Sequence, residues 1–295
     1  MKNKKIPLRK FPSWLTKKLP LGNIMSSTQE TLEQNYLSTV CEEALCPNRN
    51  ECWTKKTATY LALGKECSRK CGFCNIAYNK QPPPPNPEEP FLIAQSVITL
   101  NLKHVVITMV SRDDLPDGGA SHIAKIISTI RQKKPKTTIE VLTSDFLGNK
   151  EALYTVLKCQ PEIFNYNIET VRSLTPLVRH KATYERSLQI LKMASEYSPN
   201  ILIKSGLMVG LGEREIEVRQ TLNDLSAHNV NIVTIGQYLQ PNRLKIPVKK
   251  FISPEEFAAY QEYGIKLGLF MHVGPFIRSS YNAEETLTNI KHQLS

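Results

Sequence analysis

No stretch of this chain of 295 residues approaches the ~18 consecutive apolar residues that a membrane-crossing helix needs. The start is basic but has no apolar core of the kind a secretory leader requires, because Pro7, Pro12, Trp14 and Lys17 interrupt it. The expectation is a soluble, cytoplasmic protein with no membrane partner. Acidic residues are in short supply, 27 against 38 lysines and arginines, which leaves a net charge of +11. That excess fits an acidic partner or a nucleic-acid surface. Much of it lies in Lys2, Lys4, Lys5, Arg9, Lys10, Lys17 and Lys18, where a solvated tail would explain it equally well. In a reducing compartment the seven cysteines read as metal ligands or reactive thiols before they read as disulfides.

Three of those cysteines stand in Cys67-Ser68-Arg69-Lys70-Cys71-Gly72-Phe73-Cys74, directly after the apolar run Tyr60-Leu61-Ala62-Leu63. A loop this short brings three thiolates toward one metal centre and cannot complete a four-ligand shell. A structural zinc site would need a fourth ligand, and no His or Cys follows closely after Cys74. A 4Fe-4S cluster held by three cysteines instead leaves one iron free of protein, and an open coordination position is where metal chemistry happens. Phe73 would place an aromatic ring beside the cluster and restrict water, one of the levers on its reduction potential.

A second triplet precedes the first. Cys41, Cys46 and Cys52 are spaced C-x4-C-x5-C within Cys41-Glu42-Glu43-Ala44-Leu45-Cys46-Pro47-Asn48-Arg49-Asn50-Glu51-Cys52-Trp53. Two triplets, each one ligand short, point to two iron-sulfur sites more readily than to two zincs. Gathering all six cysteines around one or two zincs would leave thiolates unused or bridging. Cys159, far from either triplet, reads as a small apolar residue. Near the C-terminus, the serines of Arg278-Ser279-Ser280-Tyr281 read by themselves as a turn or helix cap.

From Thr57 onward β-branched apolar runs alternate with helical stripes. Strands are expected at 57–63, 104–109, 138–142, 163–167, 201–209 and 231–235, with stripes between them such as Ile123, Ile126, Ile127 and Ile130. The fold class is therefore α/β: a parallel sheet with helical crossovers, arranged as a partial (β/α)6 barrel. Residues 1–56 form an N-terminal extension carrying the second triplet and a short helix near Ser27–Leu37. Residues 57–240 form the barrel, and 241–295 a closing segment with room for one strand and one helix. The run Gln81-Pro82-Pro83-Pro84-Pro85-Asn86-Pro87 is a stiff connector without chemistry. In such barrels the chemistry lies at the C-terminal ends of the strands, which puts Cys67, just past the first strand, at the mouth. Asn167 and Glu169 after the fourth strand, and Gly206 to Glu213 on and after the fifth, offer polar and glycine-bared positions there.

The C-x3-C-x-aromatic-C arrangement resembles the cluster motif of the radical SAM enzymes. From Cys41 to Asn282 the chain is similar to one family among them, the lipoyl synthases. The resemblance implies the radical SAM form of the barrel with N- and C-terminal extensions. It implies S-adenosyl-L-methionine (SAM) and two 4Fe-4S clusters, one on Cys67, Cys71 and Cys74 and an auxiliary one on Cys41, Cys46 and Cys52. The auxiliary cluster would take its fourth ligand from the Arg-Ser-Ser-Tyr motif, at Ser280 with Ser279 as its neighbouring alternative. Gly206-x-Met208-x-Gly210-x-x-Glu213 is similar to the strand whose backbone approaches the adenine or ribose of SAM. Asn167 and Glu169 are candidates to accept ribose hydroxyls and the methionyl amine.

The implied reaction inserts sulfur at C6 and C8 of an octanoyl group amide-linked to a lysine. The acceptor would be a lipoyl carrier, either the acyltransferase subunit of a 2-oxoacid dehydrogenase or the glycine cleavage H protein. Flavodoxin or ferredoxin would supply electrons, and an iron-sulfur carrier would rebuild the spent cluster. A saturated C–H bond has no acidity and no leaving group, so a radical is what can begin such a reaction. The sequence departs from the family pattern at Ser111, Tyr166, Asn282 and Asn75, none of them a cluster ligand.

Other readings compete. A sulfur inserter acting on RNA would explain the basic charge, but the ~55 residues after the last expected strand leave no room for a separate RNA-binding module. An electron-transfer protein would normally supply complete four-thiolate shells. A zinc-stabilised domain would contain no iron or sulfide.

Overall fold

The computed structural model describes residues 11–16, 26–54 and 59–294. The early basic residues from Lys2 to Lys10, with Lys17 and Lys18, lie outside them, as does Thr57.

One all-parallel sheet organises the chain, and its strands stand side by side in chain order. They are β1 (Thr59–Ala62), β2 (His104–Met109), β3 (Thr138–Leu142), β4 (Ile163–Asn165), β5 (Leu202–Val209), β6 (Ile232–Gln237) and β7 (Phe270–Gly274). Helices α1 (Glu89–Thr99), α2 (Ala120–Lys133), α3 (Lys150–Leu157), α4 (Tyr184–Tyr197), α5 (Glu215–Ala227) and α6 (Pro254–Lys266) make the successive crossovers. The six expected strands are present with ends shifted by a few residues. β7 is the closing strand, paired to β6 in the same sheet.

Local chemistry explains the elements. In α2, Ile123, Ile126, Ile127 and Ile130 recur at the helical period and all four are buried. α6 begins with a capping box: Ser253 Oγ accepts from Glu256 N at 3.2 Å while the Glu256 carboxylate accepts from Ser253 N at 3.2 Å, with Pro254 at the first helical position.

The strands alternate strictly between two environments. Val105, Ile107, Ile139, Val141, Phe164, Ile203, Val233 and Ile235 belong to the main apolar core with the helices. The register places Val106, Glu140 and Ile163 side by side, and likewise Lys204 and Ile232, on the opposite face. That inner face is polar at mid-height. Lys204 Nζ meets both Glu140 oxygens at 3.0 Å, and Asn165 Nδ2 donates to Glu140 Oε1 at 2.8 Å. All three side chains are buried, so the charges have no water to fall back on.

Below that layer the sheet is closed by the last helix, α7 (Ala283–Leu294). Its Leu287 and Ile290 pack against Ile163, Leu202, Ile232 and Phe270, the first residues of four strands. Each such burial stabilises by about 1.5–3 kcal/mol, and together they hold the C-terminal segment in the base of the barrel. At the other end of the chain, Trp14 Nε1 donates to Ile252 O at 3.1 Å and the Phe11 and Phe251 rings lie 5.5 Å apart. The helix expected near Ser27–Leu37 runs over Ser26–Gln34.

Candidate active site

A cavity of about 520 Å³ opens at the C-terminal ends of the strands, and both cysteine triplets line it. Phe73, Asn167, Glu169, Gly206, Ser279 and Ser280 line the same cavity. The loops that deliver these residues are fastened by specific bonds.

The Cys67–Cys74 loop leaves β1 and is tied to the ends of several neighbours. Ser68 N and Oγ both donate to Ser111 O at 2.9 Å, and Ser68 Oγ accepts from Asp113 N at 2.9 Å. Ser111 therefore acts here through its carbonyl, a tie that does not depend on its side chain. Gly72 N donates to Val178 O at 2.9 Å and Gly72 O accepts from Ile246 N at 3.0 Å. A Cβ at Gly72 would stand 2.6 Å from Ile246 Cδ1, so a side chain there would have to displace Ile246. Phe73 packs on a small cluster with Val178, Leu211 and Tyr238.

Arg69, between the first two cysteines, makes the strongest anchor. Its guanidinium meets Asp113 through Nε and Nη2 at 2.8 to 3.1 Å, and its Nη2 meets Asp145 Oδ1 at 2.6 Å. The second oxygen of Asp145 accepts from Arg186 Nε at 2.6 Å. Burial pushes the Asp145 carboxyl up, but the two guanidiniums outweigh it and hold it below the ordinary carboxylate range. This network was not legible in the sequence, because Asp113 and Asp145 lie 44 and 76 residues from Arg69. Arg112 pins the proline connector, donating from Nη2 to Pro82 O at 3.3 Å.

Burial pushes the thiols of Cys41, Cys71 and Cys74 up, that of Cys74 to about 12. Iron binding displaces those protons. Among the described residues no three His, Cys, Asp or Glu side chains converge on a point that would hold one metal ion. A 4Fe-4S cluster makes no such demand, since each thiolate takes its own iron. Three sulfurs per loop, facing a shared cavity, fit that group.

Opposite the first triplet lies a polar wall. Asn167 Oδ1 is buried without a hydrogen-bond partner. Glu169 adopts φ 68°, its N–H donating to Gly206 O and its carbonyl accepting from Met208 N, both at 2.9 Å. Burial raises its carboxyl, while nearby Arg179 and the Asn167 amide oppose the rise. Arg179 is itself held by Tyr166 OH and Ser187 Oγ at 2.8 Å each. Tyr166 is thus the buried acceptor that orients Arg179. A Cβ on Gly206 would lie 2.6 Å from Thr234 Oγ1 and 2.9 Å from Asn167 Oδ1. The bare strand and the orphaned acceptor together form a cradle suited to hydroxyl and amine donors such as those of SAM.

Glu213 is elsewhere. It does not line the cavity, and its carboxylate accepts from the N–H groups of Gly210, Leu211 and Gly212 at 2.5, 2.9 and 3.0 Å. It shapes the turn after β5. Cys159 stays outside the cavity, its sulfur 3.6 Å from Ala124 O. Asn75 bridges loops, donating to Glu43 O and accepting from Asn242 Nδ2 at 2.9 Å each. Asn282, at φ 51°, donates to Glu285 at the start of α7.

The second triplet is stitched to the Arg278–Tyr281 loop. Asn48 Nδ2 donates to Phe276 O at 2.7 Å, and Tyr281 OH to Glu51 Oε1 at 2.6 Å. Both Asn48 and Glu51 fall inside the cysteine-spaced segment, so their residue types were a visible signal, but their partners lie some 230 residues away. β6 is bare at Gly236, where a Cβ would stand 2.1 Å from Ile277 O. Ser279 and Ser280 both line the cavity that Cys46 and Cys52 line.

Residues 61–225 match the model of the Radical SAM superfamily. The chain is 58% identical over 286 residues to the lipoyl synthase of Chlamydia felis, covering 97% of this chain and 92% of that protein. It is 56% identical over 290 residues to that of Chlamydia trachomatis serovar D, covering 98% and 93%. Among solved structures, methylornithine synthase (PylB) superposes with a TM-score of 0.56 at 12% identity over 72% of this chain and 62% of that one. Streptococcus suis SuiB bound to S-adenosylmethionine gives 0.55 at 13% identity over 84% and 61%. Likeness at such low identity concerns the fold alone.

Proposed function

The chain belongs to the lipoyl synthases, sulfur-inserting enzymes of the radical SAM superfamily that use a 4Fe-4S cluster and SAM, and from that premise we propose how its residues divide the work. Cys67, Cys71 and Cys74 hold the cluster that binds SAM, and Cys41, Cys46, Cys52 and Ser280 hold an auxiliary cluster, with Ser279 the alternative oxygen ligand. The substrate is an octanoyl-lysine of a lipoyl carrier protein or domain, and sulfur enters at C6 and C8. A flavodoxin or ferredoxin supplies electrons, and an iron-sulfur carrier renews the auxiliary cluster. When bound, the first cluster supplies one-electron cleavage of SAM to an adenosyl radical and the second supplies sulfide.

The observation that carries this reading is the shared cavity, which both triplets and both serines line. Two cofactors working on adjacent carbons of one acyl chain must face one space, because proximity is what free sulfide lacks. Asn167 and Glu169 orient the SAM ribose and amine, and Gly206 lets the nucleoside approach β5. Arg179 keeps Glu169 placed. Phe73 and the Arg278–Tyr281 loop exclude water and stray hydrogen donors.

Anaerobic incubation with SAM, a reductant and an octanoylated lysine peptide tests the reading. The expected product carries two added sulfurs by mass. Formation of 5′-deoxyadenosine without any sulfur-containing peptide would defeat it.

A further inference from the structure

Arg278 is an uncompensated cation in the wall of the cavity. Its Nη1 donates to Ile277 O at 2.6 Å and reaches Pro275 O at 3.5 Å, both neutral carbonyls. Among the described residues no carboxylate lies within ion-pair distance of it, whereas Arg69, Arg112, Arg131 and Arg186 each have one. The side chain is half-buried, and a guanidinium partly withdrawn from water without an anion is costly. It lines the same cavity as Cys46 and Cys52.

The position is fixed rather than incidental. Gly236 keeps β6 bare where Ile277 O and Arg278 Nη1 approach, with a Cβ there falling 2.1 and 3.1 Å from them. On either side of Arg278, the Asn48 to Phe276 and Glu51 to Tyr281 bonds clamp its loop to the segment that carries Cys46 and Cys52. A cation is thus held in the wall that the second triplet also lines, and the anion that would complement it is what that triplet would assemble, a cluster of thiolate and sulfide.

Resting on the assignment of that triplet to an auxiliary cluster, we propose that Arg278 is its counter-cation, a positioning residue whose charge stabilises the electron-rich state of that cluster and helps retain it. A fixed positive charge beside an iron-sulfur centre raises its reduction potential. The planar fork also suits several sulfur acceptors at once, where a lysine would offer a point charge.

The test is an anaerobic redox titration of the reconstituted protein, monitored by EPR, on the native chain, Arg278→Gln and Arg278→Lys. Iron and sulfide are counted first: a native sample with only one cluster's worth of iron would refute the two-cluster reading itself, independently of Arg278. With both clusters present, Arg278→Gln is expected to lower the auxiliary potential by at least ~59 mV, a tenfold change in a one-electron equilibrium, while the Cys67–Cys74 cluster keeps its value. Arg278→Lys is expected to recover most of the shift. If Arg278→Gln loses the auxiliary cluster and Arg278→Lys keeps it, the charge is again supported. An unshifted potential in fully loaded Arg278→Gln, or equal loss of the cluster from both variants, would overturn the proposal.

Discussion

The phenol of Tyr281 donates to Glu51 Oε1 at 2.6 Å, joining the loop of the second cysteine triplet to a segment 230 residues further along the chain. Accepting this bond, the Glu51 carboxylate pushes the phenol up to about 12, so the proton stays on Tyr281 at any working pH. A hydrogen bond to a charged group contributes roughly 1.5–3 kcal/mol. Tyr281→Phe is therefore expected to loosen the Arg278–Tyr281 loop, cutting sulfur-containing product by roughly ten- to a hundredfold while 5′-deoxyadenosine still forms. Quantifying both products in the same reaction decides it; equal losses would show that the bond serves the whole site.

The two triplets should separate by function. Cys67→Ala is expected to abolish 5′-deoxyadenosine formation, whereas Cys46→Ala retains SAM cleavage and yields no sulfur-containing peptide. Loss of both activities in Cys46→Ala, with the first cluster shown intact by spectroscopy, would contradict this division.

Gly206→Ala tests the cradle. The added methyl would enter 2.6 Å from Thr234 Oγ1 and 2.9 Å from Asn167 Oδ1, and overpacking of this kind costs about 1–3 kcal/mol. SAM binding to the reconstituted enzyme, measured by equilibrium dialysis, is expected to weaken by roughly ten- to a hundredfold. Gly206→Ala with Thr234→Ala should regain part of the loss. An unchanged dissociation constant would place SAM elsewhere.

The buried pair of Lys204 and Glu140 gives a stability prediction. Lys204→Met strands the carboxylate beneath the cavity and is expected to cost about 3–5 kcal/mol. Replacing both, with Glu140→Leu added, removes the uncompensated charge and should restore much of that loss. Urea midpoints of the two variants and the native chain settle it. A double variant less stable than Lys204→Met alone would mean that Asn165, left without its 2.8 Å bond to Glu140, matters more than the charge.

Much of this architecture could be read from spacing alone. The strands β1 to β6 announce themselves because their outward residues, such as Val105 and Ile107 or Val233 and Ile235, are β-branched and bounded by turns. The cysteine triplets announce their chemistry because ligand number is a local property. What stayed hidden depends on residues distant in sequence. Nothing local marks Arg69 as an anchor, because Asp113 and Asp145 close around it from distant loops. Glu213 shows the opposite case, a carboxylate after a glycine-rich strand whose bonds are local: three amides one to three residues away donate to it. The burden on Arg278 is visible only as the absence of a partner, which no linear pattern reports.

The two halves of the second site lie near opposite ends of the described chain, and the helix that follows Tyr281 is seated in the base of the barrel by Leu287 and Ile290. During synthesis the cysteine-bearing half emerges from the ribosome well before the serine-bearing half exists. On the proposed two-cluster reading, the serine, the arginine and the clamp therefore arrive last and together. The cysteine-bearing segment would until then have nothing to close it, and the seating of Leu287 and Ile290 in the base of the barrel is what holds the closing segment in place.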